Sequence, residues 1–570
     1  MQFDVLEGVA GPGEGDLSIY NDIVNQQSKQ PPITSLSLLK KTMLVQRGWS
    51  ESELTPPALN QIDWSQAKFN PQQLQKAIKL IAQMRQEKKK VLIYGDYDVD
   101  GQTATSIMWL GLRTYGLSST PFIPDRLKHG YGMSKLALEE IFSKEKPDLI
   151  ITVDNGISAK QALDFCHQKQ IPVIVSDHHQ LSDAKIKAAA LIHSTALSGA
   201  AVAWYLIYQL LLADNHPQAL PMASELLDLV CLGTIVDQVP QQGLCRQLCR
   251  LGLLQLRRSQ RCGLQSLAAS ANCTLSRANG TDLGFILGPR INAVGRLTGG
   301  LDALRLLCSQ KKPYVDKLAD TLSSINKQRQ ELTKQMYQQA LSQIEIKNLP
   351  ALLLVADKNF HEGIIGLLAS KLSEQFARPA IAIAWGDKIA KASCRSVGKF
   401  NITTYLSQFS SRLLGFGGHC LAAGFSCQAQ LLPQLSRDLV AGAQAYLPDI
   451  LAAQTPIFLP TSIAVLSHPQ LSDLLDEFEP TGMNNEALRV STIGKVKAVS
   501  LLGQQKNHLK VILTKGGQQL EVLFWQIDQR HLPLPLIGET ITVAGHLEVN
   551  YFRNTKKVQM IGECWHSQTA

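Results

Sequence analysis

Three short apolar runs each end in an acidic loop, and this repetition restricts the fold more than any other feature of the chain. Val91-Leu92-Ile93-Tyr94 runs into Asp96, Asp98 and Asp100. Leu149-Ile150-Ile151-Thr152-Val153 runs into Asp154-Asn155-Gly156, and Ile171-Pro172-Val173-Ile174-Val175 into Asp177-His178-His179. Continuous apolar runs of this length, separated by helical segments, mark parallel strands covered on both faces. In such open sheets ligands gather beyond the carboxyl ends of the strands, which is where these acids fall. A fourth acid, Asp237, closes the apolar segment Leu226 to Val236.

Taken singly, each aspartate also suits the N-cap of a following helix. Four loops of one chemistry are harder to explain that way, because converging carboxylates repel at close range. Divalent cations resolve the conflict. Carboxylate oxygens with one or two imidazoles suit Mn²⁺ or Mg²⁺, and a set poor in thiolates disfavours structural zinc. Two such ions about 3.5–4 Å apart would hold a phosphoryl group and activate the attacking water, which is a phosphoesterase constellation.

The rest of the chain bounds the setting. Its 570 residues are enough for several domains. A hydrophobic share of 45%, with 40 Gly and 25 Pro spread along the chain, excludes disorder and collagen-like repeats. The formal net charge of +9 suits a polyanionic partner without being histone-like. The 11 cysteines include no Cys-x-x-Cys pair, so they read as reduced thiols of a cytoplasmic protein. Ala201 to Ala213, the most apolar stretch, falls short of the roughly 20 residues a bilayer span needs, so no membrane association is expected.

Residues 1–40 read as a flexible lead-in. An amphipathic stretch from Val315 to Ile344, free of Pro and Gly, predicts a long connecting helix. Buried-strand runs return at Ala351 to Val355 and Pro379 to Ala384. From about Pro456 the pattern becomes β-rich, with Thr492 to Leu502, His508 to Thr514, Gln519 to Trp525, Thr540 to Val549 and Val558 to Glu563 at the spacing of a small barrel of the oligonucleotide-binding (OB) type.

Tyr94-Gly95-Asp96-Tyr97-Asp98-Val99-Asp100-Gly101, Val153-Asp154-Asn155-Gly156 and Ser176-Asp177-His178-His179 resemble motifs of the DHH phosphoesterase superfamily. Later segments narrow the likeness. Ile123-Pro124-Asp125-Arg126 with Gly130-Tyr131-Gly132, Leu287 to Ala293 with Gly295-Arg296, His361 to Gly366, and Phe416-Gly417-Gly418-His419 with Ala422-Ala423-Gly424 resemble the RecJ family of single-strand-specific DNA exonucleases. Any one of these motifs is weak alone; their order, from about residue 40 onward, is specific.

The resemblance implies an α/β protein with a parallel-sheet DHH catalytic domain over 41–310, a connecting helix over 311–345, an α/β DHH-associated domain over 346–450 and a C-terminal OB-like barrel over 456–570. It implies two divalent metal ions, Mn²⁺ or Mg²⁺. Asp98 and Asp154 would hold one, with Asp96 close by. Asp100, Asp154, His178 and Asp237 would hold the other, so that Asp154 bridges. His179 would face the scissile phosphate, and Asp177 would orient the histidines. Arg126, Arg290, Arg296, Ser393 and Arg395 form a set from which the family draws its grip on the 5′-terminal phosphate, and His361, Gly417, Gly418 and His419 resemble positions lining the substrate groove. An interdomain salt bridge for Arg290, a core position for Trp525 and simple turns at His361 and His419 are the plainer readings of those residues.

Several positions depart from the family pattern. Tyr94 stands where many DHH enzymes have a histidine ligand, and Cys394 replaces a usual glycine and would narrow the phosphate pocket. Cys245 stands where Asn is common, Thr298-Gly299-Gly300 lacks the usual acids, the 191–199 loop is short, and Glu479 to Asn485 is a degraded Pro-Phe-Gly segment. No bridging acid is lost. The implied activity is hydrolysis of single-stranded DNA from the 5′ end to 5′-mononucleotides, in DNA repair and recombination. Single-strand-binding protein and a RecQ-type helicase are the implied partners of a monomer. The rivals are another DHH phosphoesterase, acting on short oligonucleotides, phosphoadenosine phosphate or pyrophosphate, and a catalytically dead DNA-binding scaffold. Six acids (Asp96, Asp98, Asp100, Asp154, Asp177 and Asp237) belong to the implied metal centre, so the formal charge understates how positive the DNA-facing surface should be.

Overall fold

Val91–Tyr94 (β1), Ser119–Phe122 (β2), Leu149–Val153 (β3), Val173–Asp177 (β4) and Ala190–His193 (β5) form a wholly parallel sheet in the order β2-β1-β3-β4-β5. In this computed structural model the described residues are 30–130, 132–181, 186–451, 457–503, 505–527, 532–552 and 555–568. Most of the expected lead-in, and Tyr131 of the Gly-Tyr-Gly motif, lie outside them. The three central strands are buried along their whole length, as their unbroken apolar runs require. Strands β2 and β5 lie at the sheet edges and do not have that signature. β2 contains Pro121 and is half-exposed, and β5 alternates buried and half-buried positions. β4 starts at Val173, after Pro172, and runs on through Asp177, so the acid is the last residue of the strand.

Two compact units divide the chain. One holds Glu51–Arg329 with Phe478–Glu486; the other holds Gln330–Glu477 and Ala487 onward, with the described N-terminal residues to Ser50. In the first, helices Val99–Thr114 (α1), Gly199–Ala213 (α2) and Ala219–Val236 (α3) carry much of one large core, followed by Gly243–Arg257 (α4) and Gly288–Leu297 (α5). α3 has the length and apolarity of a membrane span, yet Leu226, Leu229, Val230 and Leu232 are fully buried in this core, so it is read here as a core helix. Its one charge at that depth, Asp228, is met by Arg261 Nε at 3.1 Å and by the Ser259 hydroxyl at 2.7 Å. The amphipathic stretch expected from Val315 is a helix over Lys312–Leu341 (α6).

The second unit contains two sheets. Leu353–Asp357 (β6), Ala380–Trp385 (β7), Ile389–Arg395 (β8), Gly415–Gly418 (β9) and Ala422–Gln428 (β10) pair in the order β6-β7-β8-β10-β9, parallel only between β6 and β7. Further on, Leu459–Pro460 (β11) is appended to Arg489–Leu502 (β12), His508–Lys515 (β13), Gln518–Phe524 (β14), Thr540–Phe552 (β15) and Thr555–Ser567 (β16). The pairing of β12 with β15 closes the last five into a barrel. All five pieces read as strands in the sequence are its staves.

Candidate metal centre

The acids meet because the carboxyl ends of β1, β3 and β4 lie side by side and the C-terminus of α3 faces them. Asp98 caps α1, its carboxylate accepting the Gly101 amide at 3.0 Å. Asp100, in the first turn of α1, is almost fully buried and accepts the amides of Gly199 at 2.6 Å and Ala200 at 2.9 Å, the first two residues of α2. The positive end of that helix therefore anchors a carboxylate. Asp154 follows β3 in the left-handed conformation, with φ 61°. Gly199 sits against it so closely that a Cβ there would lie 2.4 Å from Asp154 Oδ1.

His178 Nε2 is the common neighbour. It lies 3.1 Å from Asp154 Oδ1, 3.5 Å from Asp237 Oδ2 and 3.7 Å from Asp100 Oδ2. Among the described residues, donor atoms fall within 4.8 Å of one another in two sets, Asp154/His178/His179 and Asp100/His178/Asp237. Asp96 and Asp98 stand outside both sets. Asp96 accepts the Tyr97 amide at 2.6 Å and feels the charge of Arg126, whose guanidinium lies 5.4 Å from the Tyr97 ring centre.

The electrostatics are those of a site that lacks compensating charge. Loss of hydration, then the neighbouring Asp98, pushes Asp96 up to about 8. Loss of hydration raises Asp100 to about 7 even with two amides bonded to it, and burial followed by the surrounding carboxylates raises Asp154 well above the usual range. Burial, then the charge of His179, lowers His178 to about 4, leaving a neutral imidazole with a free lone pair. Asp154 Oδ1 and His178 Nε2 are both buried and without a hydrogen-bond partner among the described residues. Two buried polar atoms 3.1 Å apart, neither otherwise satisfied, form a donor pair that a divalent cation would engage together. Oxygen-rich ligation with one imidazole fits Mn²⁺ or Mg²⁺.

His179 differs from its neighbour. Its Nδ1 lies 2.7 Å from Asp177 Oδ1, and this hydrogen bond, working against burial, raises it to about 9. Asp177 also accepts the His178, His179 and Ile157 amides. Burial alone would raise its carboxyl, but these bonds, led by that from His179, hold it below the usual carboxylate range. His193, at the end of β5, donates from Nε2 to the His179 carbonyl at 2.7 Å. Asn292 of α5 accepts the Val99 amide at 3.1 Å and so fixes the start of α1. The Leu287 to Ala293 motif contains it, but nothing in that motif points to this role.

The model for the DHH family, N-terminal domain, matches residues 90–234, that for the DHHA1 domain residues 348–443, and that for the RecJ OB domain residues 466–563. The single-stranded-DNA-specific exonuclease RecJ of Bacillus subtilis is 32% identical over 560 residues, covering 95% of this chain and 69% of the relative. The chain belongs to the RecJ family. The Escherichia coli RecJ is 31% identical over 545 residues, with 90% and 92% covered. The crystal structure of Thermus thermophilus RecJ with Mn²⁺ superposes with a TM-score of 0.78 at 26% identity, covering 99% of this chain and 79% of that one; the same protein was also solved with Mg²⁺.

The remaining RecJ-like positions fall in both units. Arg290 and Arg296 lie on α5. Arg290 is engaged by the Ser323 hydroxyl at 3.2 Å and the Ile286 carbonyl at 2.6 Å. In the second unit, Ser393 and Arg395 share one face of β8, 3.4 Å apart, and Arg395 Nε donates to the Ser370 hydroxyl at 3.0 Å. Cys394 points to the opposite face, fully buried in the core and away from the face that Ser393 and Arg395 share. His361 Nδ1 accepts the Gly363 amide, and His419 is exposed in the turn between β9 and β10. Gly417 and Gly418 are exposed residues of edge strand β9. Tyr94 is fully buried, its hydroxyl donating to the Gly132 carbonyl at 3.3 Å. Trp525 is half-buried and packs edge-on against His508, their ring centres 5.0 Å apart.

Proposed function

We propose that this RecJ-family chain hydrolyses single-stranded DNA from the 5′ end and releases 5′-mononucleotides, using two divalent cations, Mn²⁺ or Mg²⁺. One observation carries the reading: His178 Nε2 and Asp154 Oδ1, buried, unpartnered and 3.1 Å apart, with Asp237 and Asp100 beside them. Asp100, Asp154, His178 and Asp237 would hold one cation, and Asp96, Asp98 and Asp154 the other. When bound, such ions neutralise phosphoryl oxygens and acidify water.

The chain's own groups do the rest. His178 is neutral at physiological pH and offers a lone pair. His179, raised to about 9 by Asp177, is protonated there, so its outer nitrogen donates a hydrogen bond or a proton to a phosphate oxygen. The Asp177 carboxylate and the His193 bond to the His179 carbonyl keep that ring in place. Arg126, Arg290, Arg296, Ser393, Arg395, His361, Gly417, Gly418 and His419 would bind the strand and its terminal phosphate.

The division into a catalytic domain (41–310), connecting helix (311–345), DHH-associated domain (346–450) and barrel (456–570) belongs to the same proposal. Each matched family segment lies inside one of these ranges. Roles in repair and recombination, a cytoplasmic monomer, and docking of single-strand-binding protein and a RecQ-type helicase rest on family resemblance alone. Purified protein with Mn²⁺ or Mg²⁺, given 5′- and 3′-labelled single strands and duplex, tests the core claim beside Asp154→Ala. Loss from the 5′ end of single strands, abolished in the variant, is expected. Degradation from the 3′ end, equal attack on duplex, or full activity of the variant would overturn it.

A further inference from the structure

Phe478–Glu486 lies far from the acidic loops in sequence, yet it belongs to the unit that contains them. It grips the loop that leaves Asp237. Asp237 caps the C-terminus of α3, the chain reverses through Gln238 at φ 56°, and α4 begins at Gly243. Midway, the buried Gln241 donates its amide to the Met483 carbonyl at 2.8 Å and its side chain to the Val239 carbonyl at 2.9 Å. The α4 residue Arg250 donates to the Glu479 carbonyl at 2.7 Å.

The segment is itself rigidly folded. Asn485 is almost fully buried, and its side-chain amide donates to the carbonyls of Phe478 and Pro480, each at 2.8 Å. Gly482 and Asn485 exchange backbone hydrogen bonds. Its other side lies against the start of the helical stretch that leads into α5, where a Cβ on Gly280 would be 2.5 Å from the Thr481 carbonyl oxygen. β12 of the barrel begins only three residues after Glu486.

We propose that Phe478–Glu486 is a positioning strap for the cation-ligating carboxylate of Asp237. It fixes the 238–242 loop through Gln241, and so sets the occupancy of the cation position built on His178 and Asp237. The inference rests on the metal-centre reading above.

Mn²⁺ titration of the full chain, with free ion counted by electron paramagnetic resonance, tests it. The variants are Asn485→Ala, Gly482→Val (whose Cβ would press within 3.0 Å of Gln241 Cγ), Asp237→Asn, and Asp237→Asn with Asn485→Ala. Strap variants should weaken one bound equivalent about tenfold, as loss of ligand support commonly does. In the Asp237→Asn background, Asn485→Ala should cost nothing further. Wild-type affinity in a folded strap variant, or an equal loss in both backgrounds, would overturn the strap. Should Asn485→Ala not fold, Gly482→Val makes the same comparison with the Asn485 bonds intact. If Asp154→Ala binds Mn²⁺ like the wild type, the metal-centre reading itself fails.

Discussion

Asp177 holds His179 by a contact of 2.7 Å between Oδ1 and Nδ1 that raises it, while burial lowers the adjacent His178, so the two histidines differ in charge. His178 is neutral and His179 a cation at neutral pH. Because the folded state raises His179 to about 9, its contribution is present in full below the ordinary imidazole value and is lost as pH rises through about 9. In metal-free protein the His179 ring resonances should titrate near 9, and in Asp177→Asn the midpoint should fall by at least about one pH unit. An unmoved midpoint would show that Asp177 is not the cause.

Gly199 is expected to be the least tolerant small residue of the centre. Ala in its place would put a methyl 2.4 Å from Asp154 Oδ1 and 2.5 Å from its Cβ, with no flexible side chain to yield. The backbone conformation itself accepts Ala, so the folding cost is confined to this contact. Gly199→Ala should weaken Mn²⁺ binding by about tenfold or more. Calorimetric titration of the metal checks this, and thermal melting should show a much smaller effect than on Asp154→Leu.

How much of this is legible in the sequence depends on what each residue touches. β1, β3 and the barrel strands are readable because burial on both faces, or regular alternation, writes a strand's environment into its own sequence. β2 and β5 are not, since an edge strand with Pro121 or a single buried face leaves no such run. Asp98, Asp100, Asp154, Asp177, His178 and Asp237 stand out as acids and imidazoles at strand or helix ends. His193, Asn292 and Gly199 act on the centre through a carbonyl, an amide and close packing. Those are tertiary contacts, which no local pattern encodes. Cys394 shows the reverse error: its neighbours in sequence suggest a pocket, while strand alternation sends its side chain into the core.

That alternation makes a paired prediction on β8. Ser393→Ala removes a hydroxyl from the face it shares with Arg395 and should raise KM for a 5′-phosphorylated strand several-fold, with kcat little changed. Cys394→Ala removes a buried sulfur from the opposite face and should leave KM unchanged, costing about 1–2 kcal/mol in urea denaturation instead. Steady-state kinetics and unfolding curves on both variants separate the two effects.

The barrel carries its own pH dependence. His546 and Glu563 are almost fully buried, with Nδ1 3.1 Å from Glu563 Oε1, Glu548 3.3 Å from Nε2, and Arg489 Nε 3.4 Å from Glu563. Burial alone would lower the imidazole, but its hydrogen bonds to Glu548 and Glu563 raise it to about 9. Burial likewise opposes the Glu563 carboxylate, yet His546 and Arg489 hold it below the usual range. The histidine's stabilisation is therefore complete below about pH 6.5 and is lost as pH rises through about 9, while that of Glu563 is present above the ordinary carboxyl value and fades as pH falls. The alkaline loss should be on the order of 3–4 kcal/mol, because each tenfold gain in proton affinity on folding is worth about 1.4 kcal/mol. Thermal melts of the barrel transition across pH 5–10 check this: His546→Gln should flatten the alkaline limb, and an alkaline limb unchanged in that variant would place the proton elsewhere.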